Sequence, residues 1–258
     1  MTGLLTLLYA VAAYAVFFVT FLYAVGFVGG FGPVPTTIDG AAAGPVGTAI
    51  LVDLALLGLF GLQHSIMARP AFKRRWTRIV PKSAERSTYV LLASLILLAT
   101  FTWWRPIPGT VWDLQSGAAR TVMWALFGAG WAIVFLGTWM IDHWGLFGLR
   151  QAWTRFRGRE FRHPDFQTRG FYRFVRHPLM LGFIVAFWAT PTMTYGHLLF
   201  AAVSTAYILV ALQFEERDLM TYHGEAYREY RRTTPGLIPG LRPGGASPAA
   251  EGVEAETS

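Results

Sequence analysis

The chain has 258 residues, of which 53% are hydrophobic and only 14% charged, against roughly a quarter charged in a soluble globular protein. A formal charge of +7 raises nucleic acid as a partner, but the basic residues lie in loops between apolar blocks and form no basic face, which excludes a reader of the phosphate backbone and favours membrane topology. With no cysteine there is no disulfide framework, thiolate metal site, cysteine nucleophile or iron–sulfur cluster.

Apolar blocks follow one another along the chain, most of them near the roughly 20 residues that cross a hydrocarbon core as a helix. The first, from about Leu4 to Val28, is longer than a signal-peptide core and has no basic region before it, so it reads as a retained span. Further blocks run from Val46 to Met67, Tyr89 to Trp104 and Val122 to Ile141. The last two, Leu179 to Thr194 and His197 to Phe214, are a little short and flank a Tyr195-Gly196 turn, which predicts a tight helical hairpin. The fold class is therefore an all-α integral membrane protein with five or six transmembrane helices, five if the hairpin is partly re-entrant.

Lysine and arginine collect between the second and third blocks (Arg69 to Arg86) and between the fourth and fifth (Arg150 to Arg176). Such loops are retained in the cytoplasm, and six spans then put both termini there. One bundle is expected: transmembrane helices over 1–141, a core carrying the chemistry over 142–240, and a tail over 241–258, rich in Pro, Gly, Ala and Glu, that reads as disordered. No internal repeat or pair of broken helices marks a secondary transporter.

Nearly all the His, Glu, Arg and Gln that can do chemistry fall on the basic side. Arg176-His177-Pro178 stands at the start of the fifth block, where Pro costs no hydrogen bond. It reads either as a Pro-started helix with snorkelling polar residues or as an anion site at a helix start. Glu215-Glu216, expected just past the sixth block, opposes the helix dipole and asks for a cation, either Arg176 across the hairpin or a ligand's amine or sulfonium. Leu219, His223, Tyr227 and Tyr230 recur at helical spacing, which predicts one surface helix. Gln63-His64-Ser65, and Asp142-His143 with Gln151 beyond, place ionisable groups near the membrane boundary, where they serve either helix contacts or function. Asp53, inside the second block, is read as an interhelical hydrogen-bond partner.

Taken together, Arg176-His177-Pro178 with Gly182, the Glu215-Glu216 pair before Leu219, and Gly224 followed by Tyr227, Tyr230 and Pro235 resemble the isoprenylcysteine carboxyl methyltransferase family over roughly residues 142 to 240. The runs Gln63 to Ala68, Glu85 to Tyr89 and Leu146 to Gln151 look like the branch that holds methanethiol S-methyltransferases and NnrU-type proteins. The resemblance implies S-adenosylmethionine bound in a cytoplasmic pocket of a bacterial inner-membrane protein, a small thiol as substrate, and no obligate protein partner. It implies cofactor contacts at Gln151, Asp165, Phe166, Gln167, Tyr172, Arg176, His177, Pro178, Glu215 and Glu216; Met180 stands where the family often carries Tyr. For catalysis, His64 with Gln63 is expected to favour the thiolate, because a free thiol is a weak nucleophile at neutral pH. The competing readings are a methyltransferase for a lipid-borne or prenylated thiol or carboxylate, a sterol-type reductase, and a non-enzymatic NnrU-like protein or transporter.

Overall fold

The computed structural model describes residues 2–42, 44–162 and 167–241; the tail expected at 241–258 lies outside them but for Leu241. Helix α1 (Gly3–Gly29) starts at Thr2, whose hydroxyl accepts the Leu5 amide, and stops at Gly30 in the left-handed region (φ 68°), a conformation that glycine adopts without steric cost. Helices α2 (Val46–Ala68), α4 (Lys82–Trp103) and α5 (Gly117–Ile141) follow, with the short basic helix α3 (Pro70–Trp76) between α2 and α4. Helix α4 begins before the apolar block does, because its first two turns carry the polar residues of the boundary. Beyond α5 come α6 (His143–Leu146), α7 (Leu149–Phe156), a 3₁₀ turn (Gly170–Arg173), α8 (Pro178–Trp188), α9 (Tyr195–His223) and α10 (Glu225–Thr233). Five of these helices, α1, α2, α4, α5 and α9, are long and apolar enough to cross a membrane.

The long helices form a ring. Helix α1 packs on α4, α4 on α2, α2 on α9, α9 on α8 and α8 on α5, and Phe21 meets Trp131 edge to face at 5.4 Å to join α1 to α5. The lower core, away from the basic end, is aromatic: Phe27, Phe101, Trp104, Phe127, Trp131, Phe187 and Phe200 are all buried in one cluster.

The hairpin departs from expectation in an instructive way. The block predicted as Leu179–Thr194 is helical only to Trp188, and Tyr195-Gly196 begins α9 and is no turn. Residues Thr192–Thr194 instead pair as strand β2 with strand β1 (Thr110–Asp113), antiparallel, at the Gly- and Pro-rich end. Pro191 explains the stop, since its ring nitrogen carries no donor; its carbonyl accepts from Leu114. Helix α8 alone reaches about 17 Å, half of the roughly 32 Å that α9 covers between Tyr195 and Glu216, and the non-helical residues after it, which span up to about 20 Å more, can cover the remainder. His197, fully buried, caps the lower end by donating Nε2–H to the Phe187 carbonyl at 2.9 Å.

Close approach fixes α8 against α5. A Cβ on Gly130 would lie 2.6 Å from the Ala186 amide nitrogen, and one on Gly182 2.7 Å from the Gly130 carbonyl oxygen, so only two glycines allow this crossing. Two further expectations are corrected. Helix α9 continues to His223, so Glu215 and Glu216 lie inside it and the dipole argument does not apply to them. The surface helix expected through Leu219, His223, Tyr227 and Tyr230 is broken at Gly224 (φ 58°, ψ −129°), and Tyr227 is buried. Asp53 does serve as a partner between elements, accepting the Arg105 amide at 2.9 Å.

Candidate active site

The basic end of the ring gathers most of the expected residues. Arg176 and His177 precede α8 and are buried. Arg176 Nε donates to Glu216 Oε1 at 2.9 Å, its Nη2 pairs with the same oxygen, and its Nη1 donates to the Thr234 and Arg231 carbonyls. His177 Nε2 lies 3.1 Å from Glu216 Oε1, and Arg231 Nε 3.4 Å from Glu216 Oε2. Both oxygens of Glu216 are therefore held by the protein, the arrangement a half-buried carboxylate requires. A strap after α10 closes over it, the Arg176 amide donating to Pro235 O (2.8 Å) and the His177 amide to Gly236 O (3.1 Å).

Glu215 behaves differently. Its side chain is 47% exposed, and among the described residues the basic side chain in contact with it is His177, with Nδ1 3.9 Å away. Burial, followed by the charges of Glu215 and Tyr230, pushes the Tyr172 phenol above the usual range. Burial likewise pushes Tyr230 up to about 12. Both phenols stay protonated at neutral pH, and Tyr230 donates its hydroxyl to the Tyr172 carbonyl. Pro178, buried, is the first residue of α8.

Across the ring, His64 of α2 meets the Tyr89 hydroxyl, 2.8 Å from Nε2. Phe60 stacks on the imidazole with ring centres 5.1 Å apart, and the Arg86 guanidinium lies over the Tyr89 ring at 5.0 Å. Gln63 donates to Met67 Sδ and leaves its buried Oε1 without a partner among the described residues. Ser65 meets the Tyr207 hydroxyl of α9 at 3.1 Å.

Beside this cluster a cavity of about 1050 Å³ opens at the basic end, lined by Lys73, Arg86, Asp142, Gln151 and Arg155 among others. Gln151 Nε2 donates to the Gly145 carbonyl at 3.0 Å, and its buried Oε1 has no partner among the described residues. Asp142 accepts from the Gly145 amide and pairs with Arg150 at 2.8 Å. Burial lowers the Lys73 ammonium below its usual range. His143 lines no part of the cavity; it is stacked on Trp139 at 4.3 Å and bonded to Tyr14 and Thr138, and burial lowers its pKa against the opposing charge of Asp142.

Of the expected residues, Arg176, His177, Pro178, Glu215, Glu216 and Tyr172 come together in one cluster, His64 pairs apart from them with Tyr89, and Gln151 lines the cavity. Gln167 is exposed on the segment before the 3₁₀ turn. Asp165 and Phe166 lie outside the described residues. Sequence reasoning overlooked Tyr89 and Tyr207 as contributors; a hydroxyl inside an apolar block, as at Tyr207, is the signal that singles such a residue out.

No family model and no solved structure matches the chain. Several curated proteins do. Over 235 residues it is 57% identical to the methanethiol S-methyltransferase of Mycobacterium tuberculosis, covering 91% of this chain and 96% of that one. It is 57% identical to methanethiol S-methyltransferase 2 of Bradyrhizobium diazoefficiens, with 91% and 90% covered, and 48% identical to the methanethiol S-methyltransferase of Crocosphaera subtropica, with 90% and 91% covered. A Nurim homolog of Drosophila melanogaster is 28% identical over 69% of this chain and 71% of its own.

Proposed function

The chain belongs to the methanethiol S-methyltransferase family, and from that premise we propose that it transfers a methyl group from S-adenosylmethionine to the sulfur of methanethiol, giving dimethyl sulfide. The observation that carries the reading is Glu215, a half-exposed carboxylate at the edge of the Arg176–His177–Glu216 cluster whose contact with His177 is as long as 3.9 Å. A carboxylate so placed suits a cationic group.

The donor set fits that methyl donor. Its amine and sulfonium are cations that match Glu215, its carboxylate matches the arginines of the cavity, and its polar nucleoside matches the orphaned Gln151 oxygen, since a buried acceptor is rarely left unbonded. The cavity of about 1050 Å³ is large enough for a drug-sized molecule; Gln151 and the arginines line it, whereas Tyr172, His177 and Glu215 stand outside its lining. When bound, this group supplies an electrophilic methyl on positively charged sulfur. In our reading, Gln151, Tyr172, His177 and Glu215 hold it, while Arg176 and Glu216 fix the backbone of the α8 start.

His64 accepts the thiol proton, with Tyr89 holding the imidazole. The sulfur lone pair so freed forms the new carbon–sulfur bond, and the pair of the broken bond stays on the donor sulfur. Opposite charges are annihilated in this step, so a site walled by Phe60, Tyr89 and helix backbone favours it by excluding water. Fixing both partners in line removes the entropy of their encounter. In the same reading this end faces the cytoplasm from a bacterial inner membrane, supported by the Lys and Arg of its loops.

The test is turnover by the purified protein in detergent, with methanethiol offered and dimethyl sulfide followed by gas chromatography. Product that depends on S-adenosylmethionine is expected. His64→Ala should cost on the order of 10² to 10⁴-fold at neutral pH, the worth of a general base. Full turnover by that variant would remove His64 from the mechanism, and an inactive native protein would remove the reaction.

A further inference from the structure

We infer that Arg86, in the first turns of α4, is a positioning residue for methyl transfer: it joins the wall of the large cavity to the Tyr89–His64 pair and so fixes the imidazole that takes the thiol proton. The inference rests on the reading of His64 as the base and names what holds that base in place.

Three contacts carry it. Arg86 lines the cavity, its Nε donates to the Leu146 carbonyl at 2.6 Å, and its guanidinium lies over the Tyr89 ring, 5.0 Å from the centroid. The bond to Leu146 stands on a docked turn. Leu146 is the last residue of α6, where a helix carbonyl has no partner inside the helix and takes one from outside. Just beyond, Gly148 (φ 89°) presses on α4, and a Cβ there would come 2.7 Å from the Ser87 amide nitrogen. Glycine alone lets the chain between α6 and α7 settle beside Arg86.

The ring contact follows from spacing. Arg86 and Tyr89 are three residues apart on one helix, so their side chains share a face, and a cation over an aromatic face is attracted by the ring's quadrupole. From Tyr89 the contacts cross to α2, its hydroxyl lying 2.8 Å from His64 Nε2. Phe60 stacks on the imidazole with centres 5.1 Å apart. Stacking leaves a ring free to turn in its own plane, and the Tyr89 hydroxyl fixes that turn. The Nε of Arg86 is committed to Leu146 and its guanidinium face to Tyr89, whereas Arg74, Arg155 and Arg159 of the same lining can turn to the donor's carboxylate. Loss of Arg86 therefore bears on the chemical step more than on donor binding.

The experiment measures kcat and the KM for S-adenosylmethionine, with methanethiol as acceptor and dimethyl sulfide followed by gas chromatography. Arg86→Met, similar in reach but neutral, should lower kcat on the order of 10-fold, the worth of one partly buried cation–ring contact, and leave KM within about twofold. Arg86→Lys, which keeps a cation for the ring, should recover most of the loss. In the His64→Ala protein, where no imidazole is left to orient, Arg86→Met should cost less than about twofold more, because residues that act as a unit are not additive. Should the methionine protein fail to fold, Arg86→Gln, neutral but able to bond the Leu146 carbonyl, takes its place with the same expectation. A raised KM with kcat kept would assign Arg86 to the donor's carboxylate. A full loss in the His64→Ala background, a lysine protein no better than the methionine one, or no loss at all would show that Arg86 does not act through the histidine. Each of these overturns the inference while the methyl-transfer reading stands; full turnover by His64→Ala itself overturns the base and the inference with it.

Discussion

Glu215 and Glu216 are neighbours on α9, yet the first is half open with a contact to His177 as long as 3.9 Å, whereas the second is held by Arg176, His177 and Arg231. Removing one member of a buried pair leaves the other charge uncompensated, at about 3 to 5 kcal/mol. Glu216→Gln is therefore expected to lower the thermal midpoint in detergent by several degrees, because the Arg176 side chain is only 5% exposed. Glu215→Gln should leave the midpoint within a degree or two, as surface changes do, but raise the KM for S-adenosylmethionine. Thermal scans and kinetics on the two proteins decide it, and the opposite assignment of effects would reverse the roles given to the pair. The sequence made the pair visible but not the division of labour. Adjacent residues on a helix point about 100° apart, and which of the two meets Arg176 depends on how α8 lies against α9. The reading of Arg176 as the internal cation was open from residue types alone, whereas His64 was legible as a lone histidine and its partner Tyr89 was not, since their contact spans two helices.

At the scale of elements, the apolar blocks foretold α1, α2, α4 and α5 to within a few residues at most ends, because long hydrophobic runs are the strongest signal a chain carries. The α8 leg was misjudged for a physical reason: Thr190, Pro191, Thr192 and Thr194 do mark its second half as a poor helix, but its pairing partner β1 lies far away in the sequence, and nothing local names it. Its fixed point is the contact of Gly130 with Gly182. Gly182→Leu would drive a side chain into the Gly130 carbonyl, and overpacking of this kind costs about 1 to 3 kcal/mol. Loss of thermal stability is expected together with loss of methyl transfer, since α8 carries His177 at its start. Gly182→Ala, scanned beside it, should show the same direction to a smaller degree. A leucine protein as stable as the native one would mean that the two helices do not meet at these glycines. Gly182 was legible as part of the family's motif; its partner in an apolar span was not, because nothing in a helix names the helix that it will touch.

For the whole molecule, the uneven spread of lysine and arginine predicts which end lies in the cytoplasm, and the ring gathers the candidate residues at that end. The lack of native cysteine makes the test direct. A single cysteine at Gln115, exposed beside β1, should react with a membrane-impermeant maleimide in intact cells, and one at Arg157, exposed after α7, only after permeabilisation. The reverse labelling would turn the protein over. The two backbone bonds from residues 176 and 177 to Pro235 and Gly236 also bear on how the protein is made. Every crossing has left the ribosome before the strap has, so an inserted ring exists for a time with the Arg176 side chain lacking its Thr234 partner. Competence for methyl transfer is acquired only once the strap has emerged, and a nascent chain halted short of Gly236 is a membrane protein that is not yet an enzyme.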